Sequence, residues 1–557
     1  MVLVRFAVAV SAIALSAGAA QAQQTTNTND VSQTGTDNIL IVDNARPGND
    51  QNRSNAIQNG TSNRATVIQV GDFNESIIRQ IGDRNIIAHT ENGDFNRAES
   101  VQSGDEHGSA IRQRGLSNSA VVEQQGSRLR SQIAQGAGVS ATEDFTFAQF
   151  YDPNVGATRS GNDNRVVVSQ IGTDLSSTVR QRAAVNSSAS ADNNNARIFQ
   201  RGNGNVSSLT QESRGNIAEV FQFQGGNTTT LRNQTTVTQG NSAASAAANP
   251  LSNNRASVSV AGQSNSGTVS QNGLNNDAEL SQGAGQSLTA LITQRGSGTA
   301  NVARVSQAGA TNSLTVVQDS VAARADVWQQ AGPAAGRSAN NSVDVQQGSG
   351  TTGTDPFSAG FFGNTAPTGA ATRNLVADVI QGNNPGTASF NIAQVRQDGV
   401  DLTAIVRQAG TGTAALGNIV RIAQQGGAGG ANRATAIQGA GVGPSAASDP
   451  ASGQSGDEFF FGGGARSAEI NILQSGSSNS ATIEQRGRGQ FARIEQGPGS
   501  GNTASILQDA AATNATAVIL QTGNNNSYDV VQTGAGQFIR VRQTGNNNVV
   551  TDVVQRP

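Results

Sequence analysis

Few side chains in this chain are of a kind that does chemistry by proton transfer or metal ligation. His89 and His107 are its only two histidines, and it has no cysteine. No lysine occurs either, so all 36 basic residues are arginine. Disulfides and thiolate metal sites are therefore excluded. The two isolated histidines, of which His107 stands where most repeats carry asparagine, read as substitutions in a structural position rather than as bases. Carboxylates are scattered along the chain. The turns Gly71-Asp72-Phe73-Asn74 and Gly161-Asn162-Asp163-Asn164 offer oxygen ligands, but they lack the Gly-Gly-x-Gly-x-Asp nonapeptide of calcium-binding β-rolls and are expected to be solvated turns. No catalytic residue, cofactor site or metal site is expected.

What does recur is the carboxamide. Gln58, Gln69, Gln80, Gln102, Gln113, Gln124 and Gln135 fall on a period of 11 residues, with Glu91 taking one place in the series. Two positions after each of these except Gln135 comes glycine, at Gly60, Gly71, Gly82, Gly93, Gly104, Gly115 and Gly126. Five positions after comes asparagine, at Asn63, Asn74, Asn85, Asn96 and Asn118, with His107 and Leu129 as exceptions. The chemistry open to an amide is hydrogen bonding in both directions at once. A buried Gln or Asn costs several kcal/mol, about 2–7, unless it is paired, but identical amides stacked on one another can each donate to one neighbour and accept from the other. These Gln and Asn residues are the candidate ladder, and the glycines the candidate turns.

The elements that position such a ladder follow from the residues between the amides. An 11-residue period also fits a right-handed coiled coil, but a glycine in every repeat would cost about 1 kcal/mol relative to alanine in a helix interior. Alternation fits a strand instead. In Asn63-Arg64-Ala65-Thr66-Val67-Ile68-Gln69, the residues Asn63, Ala65, Val67 and Gln69 share one face, and Arg64, Thr66 and Ile68 the other. The same split separates Asn74, Ser76, Ile78 and Gln80 from Glu75, Ile77 and Arg79. One face is nearly constant and the other varies. Eleven residues make a strand and a turn, and two such repeats make a coil of about 22 residues. The fold class expected is all-β, a β-solenoid of stacked strand-turn-strand-turn coils with amyloid-like cross-β spacing and loop insertions.

Further repeats lie downstream, among them Asn164 to Gln170, Asn205 to Gln211, Asn312 to Gln318, and a C-terminal series with Gln474, Gln485, Gln521, Gln532 and Gln543. Twelve-residue steps, from Gln282 to Gln294 and from Gln496 to Gln508, are read as one-residue turn insertions. The repeats occupy 58–138, 161–239, 254–348, 374–438 and 466–557, and loops occupy 139–160, 240–253, 349–373 and 439–465. Three of those loops carry phenylalanines, including Phe145, Phe361 and Phe460. Residues 23–57 are read as an N-terminal segment with a degenerate repeat. Residues 1–22, with Arg5, an apolar run from Phe6 to Leu15 and Ala20-Gln21-Ala22, have the pattern of a cleaved signal peptide. No later run is apolar enough to span a bilayer, so a secreted chain is expected.

Composition narrows the function classes. Apolar residues are only 35% of the chain and aromatics 4%, too little for a conventional core, while a net charge of −3 and the phasing of the apolar residues argue against disorder. Charges of both signs are interspersed, without the basic stripe that would hold nucleic acid.

The segment Gln58-Asn59-Gly60-Thr61-Ser62-Asn63-Arg64-Ala65-Thr66-Val67-Ile68-Gln69 resembles the curlin repeat, Gln-x-Gly-x-x-Asn-x-Ala-x-x-x-Gln, as does Gln474-Ser475-Gly476-Ser477-Ser478-Asn479-Ser480-Ala481-Thr482-Ile483-Glu484-Gln485. The resemblance covers most of residues 55–555. It implies a bacterial extracellular amyloid subunit, passed through an outer-membrane pore and assembled on a nucleator into biofilm fibres of a Gram-negative-type cell, with itself as main partner. The chain departs from the usual pattern in that Asn63, Asn74, Asn85 and Asn96 head successive strands, where curlin repeats alternate Ser and Asn. A monomeric or surface-tethered adhesin or nucleator built from the same repeat is the alternative, and a β-helix enzyme acting on polysaccharide a more distant one.

Overall fold

The computed structural model describes residues 27–44, 50–136, 162–182, 193–223, 232–240, 253–296, 301–309, 311–319, 322–330, 341–348, 374–383, 391–410, 419–426, 431–438, 468–487 and 489–556. Residues 1–22, expected to be a signal peptide, and the expected loops 139–160, 349–373 and 439–465, with their phenylalanines, lie outside the described residues, as do 241–252 of the remaining loop.

The described residues form 37 strands and no helix. The first ten are β1 (Thr28–Thr36), β2 (Ile39–Asp43), β3 (Arg53–Thr61), β4 (Arg64–Val70), β5 (Glu75–Ile81), β6 (Ile86–Asn92), β7 (Arg97–Asp105), β8 (Gly108–Arg114), β9 (Ser119–Ser127) and β10 (Arg130–Gln135). Each strand pairs in parallel with the strand two before and two after it, the first and last of each sheet with one only, so odd and even strands build two separate sheets. This is a β-solenoid, each coil contributing one strand to each sheet.

Register is like on like. In the odd sheet Gln33 stands on Gln58, Gln58 on Gln80, Gln80 on Gln102 and Gln102 on Gln124. Parallel strands need a crossover, and here the opposite sheet of the same coil provides it. The register also survives long excursions: Gln124 pairs with Gln170, 46 residues on, and Gln329 with Gln381, 52 residues on. Alternation dictates what faces inward. Ala65, Val67 and Gln69 are buried and Arg64 is exposed; in the next repeat Ser76, Ile78 and Gln80 are buried and Arg79 is exposed. Small and branched side chains from both sheets then form one continuous apolar core, from Ala98 and Ile111 through Val530.

Two details differ from the sequence reading. In the segment 23–57, read as a degenerate repeat, regular strands begin at Thr28, and Gln33, not counted among the ladder residues, already occupies a ladder place. Of the two twelve-residue steps, the one after Gln282 is not a turn insertion. The register slips between Gln282 and Gly285 against Val260 and Gly262, so the extra residue is accommodated as a bulge within the strand Asp277–Gln286. The other does fall in a turn, where Gly497 to Gly501 separate the strands Phe491–Gln496 and Thr503–Gln508.

Candidate functional site: two amide columns

The glutamines form two columns through the core, one per sheet. In the odd sheet Gln33 Nε2 donates to Gln58 Oε1 at 2.5 Å, Gln58 to Gln80 at 2.8 Å, Gln80 to Gln102 at 3.1 Å, Gln102 to Gln124 at 2.8 Å and Gln124 to Gln170 at 2.8 Å. In the even sheet Gln113 donates to Gln135 at 2.8 Å and Gln135 to Gln181 at 3.0 Å. Near the C-terminus Gln474 donates to Gln496, Gln485 to Gln508, Gln521 to Gln543 and Gln532 to Gln555, all within 2.8–2.9 Å. Every one of these bonds points the same way, donor nitrogen toward the C-terminal coil. The second Nε2 proton crosses the core: Gln80 donates to the Arg64 carbonyl at 3.2 Å, and Gln113 to that of Arg97 at 3.0 Å. One amide thus links neighbouring coils and ties the two sheets together.

Asparagine works differently. Its shorter side chain stays at the strand entrance, where Asn63 Oδ1 accepts the backbone N–H of Asn85 at 3.0 Å, Asn74 Oδ1 that of Asn96 at 3.0 Å, and Asn96 Oδ1 that of Asn118 at 3.1 Å. The Nδ2 groups of Asn63, Asn85 and Asn96 donate to the turn carbonyls of Gly82, Gly104 and Gly115 at 2.7–2.9 Å. Amide-to-amide contacts such as Asn118 Nδ2 to Asn96 Oδ1, 3.0 Å, are added to these rather than being the main link. The asparagine column is therefore largely a side-chain to main-chain column, and it runs both ways: Oδ1 accepts from the following coil while Nδ2 donates to that coil's turn.

The turn glycines Gly60, Gly71, Gly82, Gly93, Gly104, Gly115 and Gly126 all have positive φ, between 103° and 133°. A Cβ on Gly60 would overlap the carbonyl oxygen of Gly82, and one on Gly93 that of Gly115. Between glycine and asparagine, Asp72 Oδ1 accepts the backbone N–H of Asp50 at 2.8 Å, and Asp94 Oδ1 that of Asp72 at 2.8 Å. The turn carboxylates are thus engaged with the neighbouring coil's backbone. Among the described residues no group of three or more His, Asp or Glu side chains is arranged to hold a metal ion.

His89 and His107 are both buried. His89 Nδ1 and Nε2 each lie 2.8 Å from a serine hydroxyl, Ser76 and Ser100, and Ser100 Oγ lies 2.9 Å from Ser109 Oγ. Burial lowers the His89 pKa to about 3, so the ring is neutral at physiological pH. His107 fills an asparagine place and bonds the backbone as an asparagine does, its Nδ1 accepting the Leu129 N–H at 3.3 Å while its own N–H donates to Asn85 Oδ1 at 3.0 Å.

Sequence reasoning placed Glu91 in the series but left out the serines that bond His89, the early rung Gln33 and the interruption of the odd-sheet column at Val260. Val260 stands between Gln222 and Gln282 in the odd sheet, and Glu91 between Gln69 and Gln113 in the even sheet. The 22-residue spacing within a sheet would have exposed the valine.

Two parallel sheets, glycine turns and inward amide columns define the class as a repeat solenoid stabilised by stacking like on like. Within it, residues 467–497 and 476–509 match the family model of the curlin associated repeat, as two overlapping copies. Comparison with curated proteins gives no match.

Proposed function

We propose that this chain is a structural subunit of an extracellular, curli-like amyloid fibre of a biofilm matrix, growing by end-to-end stacking of solenoid coils. The observation that carries the reading is the direction of the glutamine columns. Each coil offers amide donors on its C-terminal side and amide acceptors on its N-terminal side, so any coil is complementary to a copy of itself placed end to end. Among the described residues β1 pairs with β3 alone, and Val549–Gln555 with Ser527–Gln532 alone. Such strand edges are templates for further strands. Secretion by a signal peptide, passage through an outer-membrane pore and start of growth on a nucleator belong to the same reading, by resemblance to the curlin repeat. The role is structural rather than enzymatic.

The test is assembly of the mature chain at micromolar concentration. Fibres that form after a lag, bind thioflavin and are seeded by preformed fragments are expected. A chain that stays monomeric for days under the same conditions would sink the reading and favour the tethered adhesin.

A further inference from the structure

The even-sheet column contains one rung that is an acid. Gln69 Nε2 donates to Glu91 Oε2 at 2.8 Å, as it would to a glutamine. Glu91 is fully buried, and its other oxygen, Oε1, takes the place that the amide nitrogen holds in the rungs on either side. That oxygen has no hydrogen-bond partner, and neither has Gln113 Oε1, the acceptor one rung further on. Two acceptors therefore meet where every intact rung has a donor and an acceptor.

The other interruption serves as an internal control. Gln282 follows Val260, and its Oε1 likewise has no partner. Among the described rungs, the two glutamines whose Oε1 is left over, Gln113 and Gln282, each directly follow the rung that is not glutamine. Valine can supply nothing to the vacant acceptor. Glutamate can, provided its carboxyl carries a proton, because an acid is then a donor through one oxygen and an acceptor through the other, as an amide is.

We propose that Glu91 is a proton-binding site of the solenoid: it is held as the neutral acid, its Oε1–H donates to Gln113 Oε1, and loss of that proton is coupled to opening of the coil around β6. The surroundings favour this. Inward positions on the strands packed against β6 carry no charge, being Ala65, Val67 and Gln69 on β4, Ala98, Ser100 and Gln102 on β7, and Ser109, Ile111 and Gln113 on β8. The charged residues of those strands are Arg64 on β4, Arg97, Glu99 and Asp105 on β7, and Arg112 and Arg114 on β8. Arg97 is engaged by Glu99 at 2.8 Å and by Glu75 of β5 at 3.5 Å. On β6 itself the nearest titratable group, His89, is neutral. Burial pushes the Glu91 carboxyl well above its ordinary range; the Gln69 amide and the Ala98 backbone N–H pull it down by less, and the Glu75 charge pushes it up again.

An acid whose folded pKa exceeds its unfolded value contributes fully to stability below the unfolded value, near 4.5, and loses that contribution as pH rises toward the folded pKa. The full chain is compared with Glu91→Gln, both in an Asp398→Asn background because burial also raises the Asp398 carboxyl. Hydrogen exchange over residues 86–92 and 108–114 is expected to show native protection falling, relative to Glu91→Gln, by about tenfold per pH unit above about pH 4.5. Infrared difference spectra at neutral pH are expected to show a protonated-acid carbonyl band that Glu91→Gln lacks. An equal pH dependence in the two chains, or no such band, overturns the proposal. Should Glu91→Gln not fold, the band in the Asp398→Asn chain at neutral pH decides: its presence sustains the proposal and its absence defeats it.

Discussion

A glutamine in this solenoid is committed at three points: it accepts from the coil before, donates to the coil after, and donates across the core to the opposite sheet. The cost of losing one rung therefore falls on its neighbours. In Gln80→Ala, Gln58 Nε2 loses its acceptor and Gln102 Oε1 its donor, both in a buried column. An orphaned buried group costs about 1–3 kcal/mol, more than the net worth of the bond removed. Val260 is the natural counterpart: Gln222 Nε2, facing it, turns to the Thr235 hydroxyl at 2.6 Å, and Gln282 Oε1 is left over. Gln80→Ala is accordingly expected to destabilise its coils by at least about 2 kcal/mol, and Val260→Gln to stabilise by roughly 1 kcal/mol. Denaturant unfolding of the soluble chain, with hydrogen exchange to localise the change, reads both. Equal and small effects of the two substitutions would mean that the columns contribute little to stability.

At the scale of the element, the turn bends the chain with two left-handed residues, and only one of them was legible in the sequence. Glycine at the first place is invariant over the early repeats because φ is positive and the next coil's carbonyl lies where a Cβ would be. Gly93→Ala is expected to cost at least about 2 kcal/mol, through φ strain and displacement of the stacked turn, seen as lost exchange protection in β6 to β8. A wild-type protection pattern would count against that account of the glycines. The second left-handed residue, two positions on, is Ser62, Phe73, Arg84, Phe95, Glu106, Ser117 or Arg128, with φ of 52–61°. Its side chain points outward and is chosen for other purposes, such as the stacked rings of Phe73 and Phe95, 4.9 Å apart, so no residue type marks it. Strand, face and period could be read because burial repeats every second residue and the amides every eleventh. The main-chain role of asparagine could not, since it depends on how far a short side chain reaches from the strand entrance. The strands of 28–43 were legible only as a degenerate repeat, because Asn44 stands at the end of β2 where a glutamine would complete the motif.

Across the whole molecule the inner and outer faces obey different rules. Inside, the amides meet like on like; outside, stacked neighbours vary, from ring on ring at Phe73 and Phe95 to opposite charges where Glu75 lies 3.8 Å from Arg53 and 3.5 Å from Arg97 in successive coils. Exposed pairs of this kind add little to stability, about 0–1 kcal/mol each. Their larger effect is on association. Flat parallel sheets with apolar outer faces would pack on one another through side-chain zippers, and charges on that surface oppose such packing while leaving the strand edges at the ends open. Arg64, Arg79 and Glu123 are exposed on strands β4, β5 and β9, on both sheets. If the chain forms fibres as proposed, replacing these three with valine is expected to thicken them laterally into bundles visible by electron microscopy. Fibre diffraction is expected to keep the strand spacing of about 4.8 Å, because no inward residue has changed. Single, unbundled fibres from the triple variant would show that outer charge does not limit lateral contact. Loss of the spacing would show that the outer face takes part in holding the coils together, which the two amide columns give no reason to expect.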